Sequence, residues 1–126
     1  MPKVTKVVDI GASEKELRRD YFDRHTPRII CDAQAKTEEK FMVKVIMGEA
    51  YPHPDESDHY IRYIQLWNRE TFLAEANFTA GMMGRPKHVE VDFYLFPKNS
   101  MNLSAMACCS KHGLWQSESI EVKVSE

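Results

Sequence analysis

The sequence has no excess of charge of either sign. Its 17 lysine and arginine residues are balanced by 19 aspartate and glutamate residues, which gives a formal net charge of −2. A chain with this balance lacks the basic field that attracts a phosphate backbone, so we expect no nucleic-acid partner. Hydrophobic residues make up 43% of the 126 residues, enough for a modest core. We therefore expect a single globular domain over residues 1–126.

Long hydrophobic runs are also absent. No apolar stretch approaches the roughly 18 residues that a membrane-spanning helix needs. Asp9, Glu14 and Glu16 interrupt the first twenty residues, so we expect no signal-peptide core there. The sequence predicts a cytoplasmic protein without a membrane partner.

Cysteine is scarce, with only Cys31, Cys108 and Cys109 in the chain. The number is odd, and two adjacent cysteines seldom form a disulfide without strain. A disulfide framework is therefore not expected, and the thiols are either free or bound to a metal.

Alternating hydrophobicity is the main pattern after residue 28. Segments 41–47, 72–78, 88–96 and 120–124 alternate apolar and polar positions, and segment 60–67 is rich in β-branched and aromatic residues. A capping box at Ser13 and Glu16 predicts one short helix before them, with Leu17 and Tyr21 on one face. About seven strands and one helix indicate an all-β antiparallel β-sandwich.

Two pairs of potential metal ligands stand near the predicted strand ends. His53 and His59 flank a polar loop, and Cys109 and His112 form a C-x2-H motif. Thiolate and imidazole at this spacing can bind one ion from a single turn. Cys109 is in phase with the apolar residues of its strand and Cys108 is not, so Cys109 is the better candidate.

Each of these residues also has a plain structural interpretation. A free cysteine often behaves as a small buried hydrophobic residue, and a lone histidine is often a loop residue. His25, in the segment Asp23-Arg24-His25 after the helix, would by itself be a solvated or dipole-pairing group. Two separate ligand pairs in one small domain favour a metal site over these interpretations.

Together, the motifs resemble the superoxide reductases of the neelaredoxin and desulfoferrodoxin family. Their order and spacing match from about residue 20 to residue 124. The matching segments are His25-Thr26-Pro27, His53-Pro54 with His59-Tyr60-Ile61, and Cys109-Ser110-Lys111-His112-Gly113-Leu114-Trp115.

The resemblance implies a seven-stranded immunoglobulin-like sandwich that holds one iron ion. It assigns the four equatorial nitrogens to His25, His53, His59 and His112, and the axial sulfur to Cys109. Superoxide would be reduced to hydrogen peroxide with electrons from an external donor such as rubredoxin. The longer desulfoferrodoxins bind a second iron through four further cysteines, which this chain lacks, so it resembles the one-iron form. We expect a homo-oligomer, either a dimer or a tetramer.

One position pair departs from the family pattern. The family typically has Glu-Lys before its first ligand histidine, with the glutamate on ferric iron and the lysine assisting superoxide. This chain has Asp23 and Arg24, which are its candidate catalytic residues. Aspartate is one methylene shorter, so we expect it not to reach the iron. Arginine keeps the positive charge but does not release a proton at physiological pH.

Three other kinds of protein remain as alternatives. Blue-copper proteins use two histidines, one cysteine and commonly a methionine soon after the last histidine, but no methionine follows His112. Structural zinc prefers four ligands, whereas this set offers five. A metal-free interaction module would leave the ligand spacings unexplained.

Overall fold

The computed structural model describes residues 4–6, 9–82 and 89–126, which contain ten strands and two short helices. In chain order these elements are β1 (Val4–Lys6), α1 (Ala12–Leu17), α2 (Arg19–His25), β2 (Arg28–Ile30), β3 (Gln34–Lys36), β4 (Phe41–Met47), β5 (Ile61–Asn68), β6 (Thr71–Asn77), β7 (Val89–Leu95), β8 (Met101–Cys109), β9 (Gly113–Gln116) and β10 (Ile120–Ser125).

The strands form two sheets. One has the order β1-β9-β8-β10-β3, with β5 pairing with both β8 and β6, and the other has the order β2-β4-β7. Apolar side chains of both sheets form one cluster, in which Val43 and Val45 of β4, Ile64 of β5 and Leu103 of β8 are fully buried. The predicted all-β sandwich is confirmed, because the alternating residues of the long strands supply this core.

The number and direction of the strands differ in detail from the prediction. Instead of about seven strands there are ten in the described residues, and two pairings, β1 with β9 and β10 with β3, are parallel. β1, β2 and β3 have three residues each and β9 has four. Such short strands leave too few positions for alternation to be recognised in the sequence.

The predicted single helix is two helices, and its predicted cap is wrong. Gly11 is the N-cap of α1 and makes no side-chain capping bond, so Ser13 lies inside the helix. The chain breaks at Arg18 before α2 begins. Leu17 is 84% exposed, so α1 has no buried face there to fix its boundaries. Tyr21, on α2, is half-buried.

Part of the prediction lies outside the described residues. Residues 83–88 are not described, so the structure says nothing of His88, the first position of the alternating segment 88–96. In the ranges that are described, neither helix has the length and apolar character needed to cross a membrane.

Four chain segments meet where β8 ends. Cys109, the last residue of β8, pairs with Ile61 of β5 and with Gly113 of β9. His59 lies two residues before β5 begins at Ile61, so it is close to the end of β8. The loop after β4 and the C-terminus of α2 join this edge, since the Gly48 amide donates to the Asp23 carbonyl oxygen at 3.0 Å. The fold thus brings the separate histidine and cysteine motifs to one place.

Candidate metal centre

Five predicted side chains converge at this end of the sandwich. His25, His53, His59 and Cys109 offer donor atoms that all lie within 4.8 Å of one another. His112 adjoins them, because its Nδ1 lies 3.1 Å from His25 Nε2 and 3.7 Å from Cys109 Sγ. The structure therefore brings together all five residues that the sequence predicted as ligands.

His25 is fixed by the last turn of α2. Its Nδ1 donates to the Tyr21 carbonyl oxygen, four residues earlier, at 2.7 Å, and its ring stacks on Trp115 at a centroid distance of 5.0 Å. A carbonyl can only accept a hydrogen bond, so Nδ1 carries the proton and Nε2 presents a lone pair to the cluster.

His53 is oriented in the same manner by the backbone beside it. Its Nδ1 donates to the Pro54 carbonyl oxygen at 2.6 Å, and its Nε2 lies 3.2 Å from Cys109 Sγ. The ring is almost fully buried, with 1% exposure. A carbonyl that holds one imidazole nitrogen while the other faces a metal position is a common outer-shell arrangement.

His59 supplies the test of whether a metal fits. The residue ends a tight turn in which its amide and carbonyl pair with those of Glu56 at 3.0 and 2.9 Å. Its Nε2 is buried, and no hydrogen-bond partner for it lies among the described residues. A buried polar nitrogen without a partner is costly, but a cation at the centre of the cluster would satisfy it.

The interatomic distances fit one shared ion. Metal–nitrogen bonds of about 2.1 Å at right angles place two nitrogens about 3 Å apart. His25 Nε2 and His112 Nδ1 are separated by 3.1 Å. The donor set of imidazole nitrogens and one sulfur is typical of zinc, copper and iron and not of magnesium or calcium.

The C-x2-H turn delivers the sulfur and the fourth nitrogen. Cys109 is buried, whereas Cys108 on the opposite face of β8 is half-buried, which confirms the predicted strand phase. The His112 amide donates to Cys109 Sγ at 3.4 Å, and Trp115 Nε1 donates to the His112 carbonyl oxygen at 3.1 Å. Gly113 has φ +83°, a left-handed conformation that lets the chain return into β9.

Burial shifts the pKa of three of the candidate ligands. It lowers the pKa of His25 and of His53 to about 4 each, against the opposing effect of their carbonyl acceptors. Both imidazoles are thus neutral at neutral pH, which is the form that binds a metal. Burial raises the pKa of the Cys109 thiol, while the backbone amides of Lys111 and His112 lower it.

Asp23 lies beside the cluster but does not join it. Its Oδ2 accepts hydrogen bonds from the amides of Ala50 and Tyr51 at 3.0 and 2.9 Å. Among the described residues, the donor atoms that converge with His25 do not include this carboxylate. The carboxylate is engaged by a backbone turn.

Two cations lie near the cluster. The Arg24 side chain is 37% exposed, lies 3.5 Å from Asp20 and contacts the Tyr51 ring. Besides burial and neighbouring histidines, its charge lowers the pKa of His53, and the charge of Lys111 likewise adds to the burial that lowers the pKa of His59. Both cations are therefore close enough to influence an anion at the centre.

Several supporting groups are not predictable from the sequence. The carbonyl acceptors of Tyr21 and Pro54 leave no mark in residue type, because every residue has a carbonyl. Ser110 is a further case: its Oγ accepts from the Tyr60 amide at 3.0 Å and its amide donates to the Tyr60 carbonyl oxygen at 2.9 Å. The only signal for Ser110 is its position inside the C-x2-H motif.

The chain is similar to known proteins over most of its length. A family model described as desulfoferrodoxin matches residues 15–118. A provisionally named superoxide reductase from Methanocaldococcus jannaschii is 33% identical over 108 residues, which cover 86% of this chain and 90% of that protein. The superoxide reductase of Pyrococcus furiosus is 30% identical over 110 residues, with 76% and 86% covered.

A solved structure agrees with these sequence relatives. The superoxide reductase (neelaredoxin) from Ignicoccus hospitalis superposes with a TM-score of 0.73 at 29% identity and covers 97% of this chain and 95% of that chain. Because the family model spans more than half of the chain and the relatives agree with it, this chain belongs to the desulfoferrodoxin and neelaredoxin family.

Proposed function

We propose that this protein is a superoxide reductase that uses one mononuclear iron ion per chain. One observation carries the proposal: four imidazoles and one thiol that are far apart in sequence converge at the end of β8, and the His59 Nε2 among them is buried without a partner in the described residues. Membership of the family makes iron the expected occupant. His25, His53, His59 and His112 would hold it through nitrogen, and Cys109 through sulfur.

The reaction takes one superoxide, one electron and two protons to one hydrogen peroxide. When bound to these five donors, ferrous iron would supply the electron and could bind superoxide. Superoxide is reduced and none is oxidised back to dioxygen, so the proposed activity is not dismutation. An external donor replaces the electron, and we propose that this donor is a rubredoxin.

The protein residues prepare this site in two ways. The buried, carbonyl-bonded imidazoles of His25 and His53 stay neutral and are held in orientation before a metal arrives. The amides of Lys111 and His112 favour the thiolate form of Cys109, which burial opposes. A thiolate donates charge to its metal and should ease the release of product, as it does in Cys-ligated haem proteins.

Arg24 and Lys111 would attract the superoxide anion. Both lie next to a proposed ligand in the sequence, and both contribute to the electrostatic environment of a cluster histidine. Arg24 keeps its proton at physiological pH, so the protons of the reaction come from elsewhere. Asp23 is assigned no bond to the metal in this proposal, because its Oδ2 already accepts two amides.

The centre is exposed on one side, which supports electron delivery from outside. His25, His53 and Cys109 are buried, whereas His112 is exposed and His59 is half-buried. A donor protein that docks on the side of His112 would approach the metal without opening the core. We further propose that the protein is cytoplasmic and forms a homodimer or homotetramer.

Zinc binding is the second candidate function. His25, His53, His59 and Cys109 alone make a four-donor set, the number that structural zinc prefers. The nearby His112 Nδ1 adds a fifth donor, one more than structural zinc prefers. Zinc is colourless and does not change its oxidation state, so the two candidates differ in a measurable way.

Anaerobic reconstitution tests the proposal. The protein is stripped of metal, loaded with ferrous ion and analysed for metal content, then oxidised while its visible spectrum is recorded. We expect about one iron per chain and a thiolate-to-iron absorption band. Reconstitution is needed because zinc and copper compete strongly for these ligands during expression. Failure to bind ferrous ion, or iron binding without the thiolate band, would refute the proposed centre.

A further inference from the structure

The turn at residues 48–51 precedes His53 and is attached to α2 through a single side chain. Asp23 Oδ2 accepts from the amides of both Ala50 and Tyr51, and the Asp23 carbonyl oxygen accepts from the Gly48 amide. One residue of α2 thus satisfies three amides of the turn.

We propose that Asp23 is a positioning residue that fixes the backbone of this turn and thereby sets the place of His53 in the metal centre. The inference rests on the proposed function, since it concerns the affinity of that centre for a metal.

Other attachments of the turn are weaker. Arg28 and Glu49 form an ion pair, but their side chains are 59% and 45% exposed. Exposed ion pairs of this kind contribute little to stability. Arg24 also contacts the Tyr51 ring, but its side chain is 37% exposed and lies 5.8 Å from the ring centroid. Among the described residues, the two hydrogen bonds from backbone amides to the Asp23 carboxylate are therefore the main side-chain restraint on the turn.

The position of His53 depends on this backbone. An ideal Cβ on Gly48 would lie 3.1 Å from the His53 amide nitrogen, so the start of the turn packs directly against the residue that carries the ring. The ring Nδ1 donates to the carbonyl oxygen of the following Pro54, so the same chain segment that carries the ring also orients it. A shift of the turn would carry the ring with it, away from Cys109 Sγ.

Asp23 lies two residues before His25, so it links two of the proposed ligands. α2 holds His25 at its C-terminus, and the same helix holds the His53 turn through Asp23. Mutation of outer-shell partners of metal ligands typically weakens metal affinity about 10- to 100-fold. We expect a loss in this range when the carboxylate is removed.

Cobalt(II) is the probe for the test, because its binding does not depend on turnover. Its dissociation constant is measured by competition with a chelator for the wild type, Asp23→Ala, Asp23→Asn and Asp32→Ala. Asp32 is an exposed aspartate between β2 and β3, so its variant controls for the loss of one negative charge. We expect about tenfold or greater weakening in Asp23→Ala and no change beyond about twofold in Asp32→Ala.

Asp23→Asn separates positioning from direct ligation. The asparagine side-chain oxygen can still accept both amides, so we expect cobalt affinity within about threefold of the wild type. Hydrogen exchange at the Ala50 and Tyr51 amides provides a second measurement. Exchange should be faster in Asp23→Ala and close to the wild-type rate in Asp23→Asn.

Two results would overturn the inference. Unchanged cobalt affinity in Asp23→Ala would show that the turn needs no such restraint, and equal losses in the alanine and asparagine variants would show that the carboxylate itself binds the metal. If Asp23→Ala does not fold, Asp23→Asn decides between these roles. Failure of the wild type to bind cobalt would contradict the proposed function instead. The hydrogen-exchange rates of the Ala50 and Tyr51 amides would then test whether Asp23 fixes the turn.

Discussion

Cys109 is the residue on which the proposed chemistry depends most. Its sulfur is buried and lies 3.2 Å from His53 Nε2, and it is the only sulfur among the converging donors of the described residues. Cys108 precedes it on the opposite face of β8, where its neighbour across the strand pair is Tyr63. Two adjacent cysteines therefore have different surroundings, and they form a matched pair for mutation.

Cys109→Ser should remove the thiolate-to-iron colour of the oxidised protein. It should also lower the activity with superoxide at least about tenfold. A serine hydroxyl is a much poorer metal ligand at neutral pH than a thiolate. Mutation of residues that only support a ligand typically lowers metal affinity or activity about 10- to 100-fold, so loss of a ligand should cost at least as much. Visible spectra and rates of superoxide consumption are measured for the iron-loaded proteins.

Cys108→Ser is the control, and it should leave both properties nearly intact. If Cys108→Ser were the damaging change, the assignment of Cys109 as the sulfur ligand would be wrong.

At the scale of elements, the turns that deliver the ligands need two left-handed glycines. Gly48 has φ +67° and Gly113 has φ +83°. They differ in their surroundings, because an ideal Cβ on Gly48 would lie 3.0 Å from the Tyr51 carbonyl oxygen, while nothing lies within 4 Å of one on Gly113. A residue other than glycine would have a strained backbone at both positions, but its Cβ would be crowded only at position 48.

Gly113→Ala should lower the free energy of unfolding by about 1–2 kcal/mol, the cost of a left-handed non-glycine residue. Gly48→Ala should lower it further, because the added Cβ meets backbone atoms that cannot rotate away. Urea unfolding of both variants and the wild type measures the difference. Equal losses would contradict the crowding at Gly48.

The sequence predicted the parts of the fold that repeat a simple period. β4, β7 and β8 are seven to nine residues long, which is enough for alternation to reveal the buried face and to distinguish Cys109 from Cys108. The short strands and the break at Arg18 could not be predicted, because a few residues show no period and tertiary contacts decide their pairing.

The candidate ligands were predicted, but the groups that support them were not. The motifs that resemble those of the superoxide reductases identified His25, His53, His59, Cys109 and His112, but motifs do not say which atoms hold the rings. The contact between Asp23 and the turn at 48–51 joins residues that are 27 and 28 positions apart. A side chain that binds backbone amides at that separation leaves no pattern of residue types.

At the scale of the whole molecule, the net charge of −2 gives superoxide no general attraction to the protein. Local cations must therefore provide any steering. Arg24 is beside the centre, whereas Arg19, on the same helix, is 69% exposed and pairs with Glu16 at 3.9 Å. The two arginines carry the same charge in different places.

Arg24→Ala should slow the reaction of the ferrous protein with superoxide by about threefold to tenfold, a small part of what a complete steering field supplies. It should also weaken the dependence of that rate on salt, because added ions screen the same attraction. Arg24→Lys should retain much of the rate, and Arg19→Ala should match the wild type. Pulse-radiolysis rates that are equal for wild type and Arg24→Ala at every salt concentration would exclude the steering role.

The most direct test of the central claim is the yield of hydrogen peroxide per superoxide consumed. A known dose of superoxide is delivered to an excess of the ferrous protein, and peroxide and dioxygen are measured together. A superoxide reductase gives one peroxide for each superoxide and no dioxygen. A yield of one peroxide for every two superoxides, with dioxygen released, would show dismutation and contradict the proposed function.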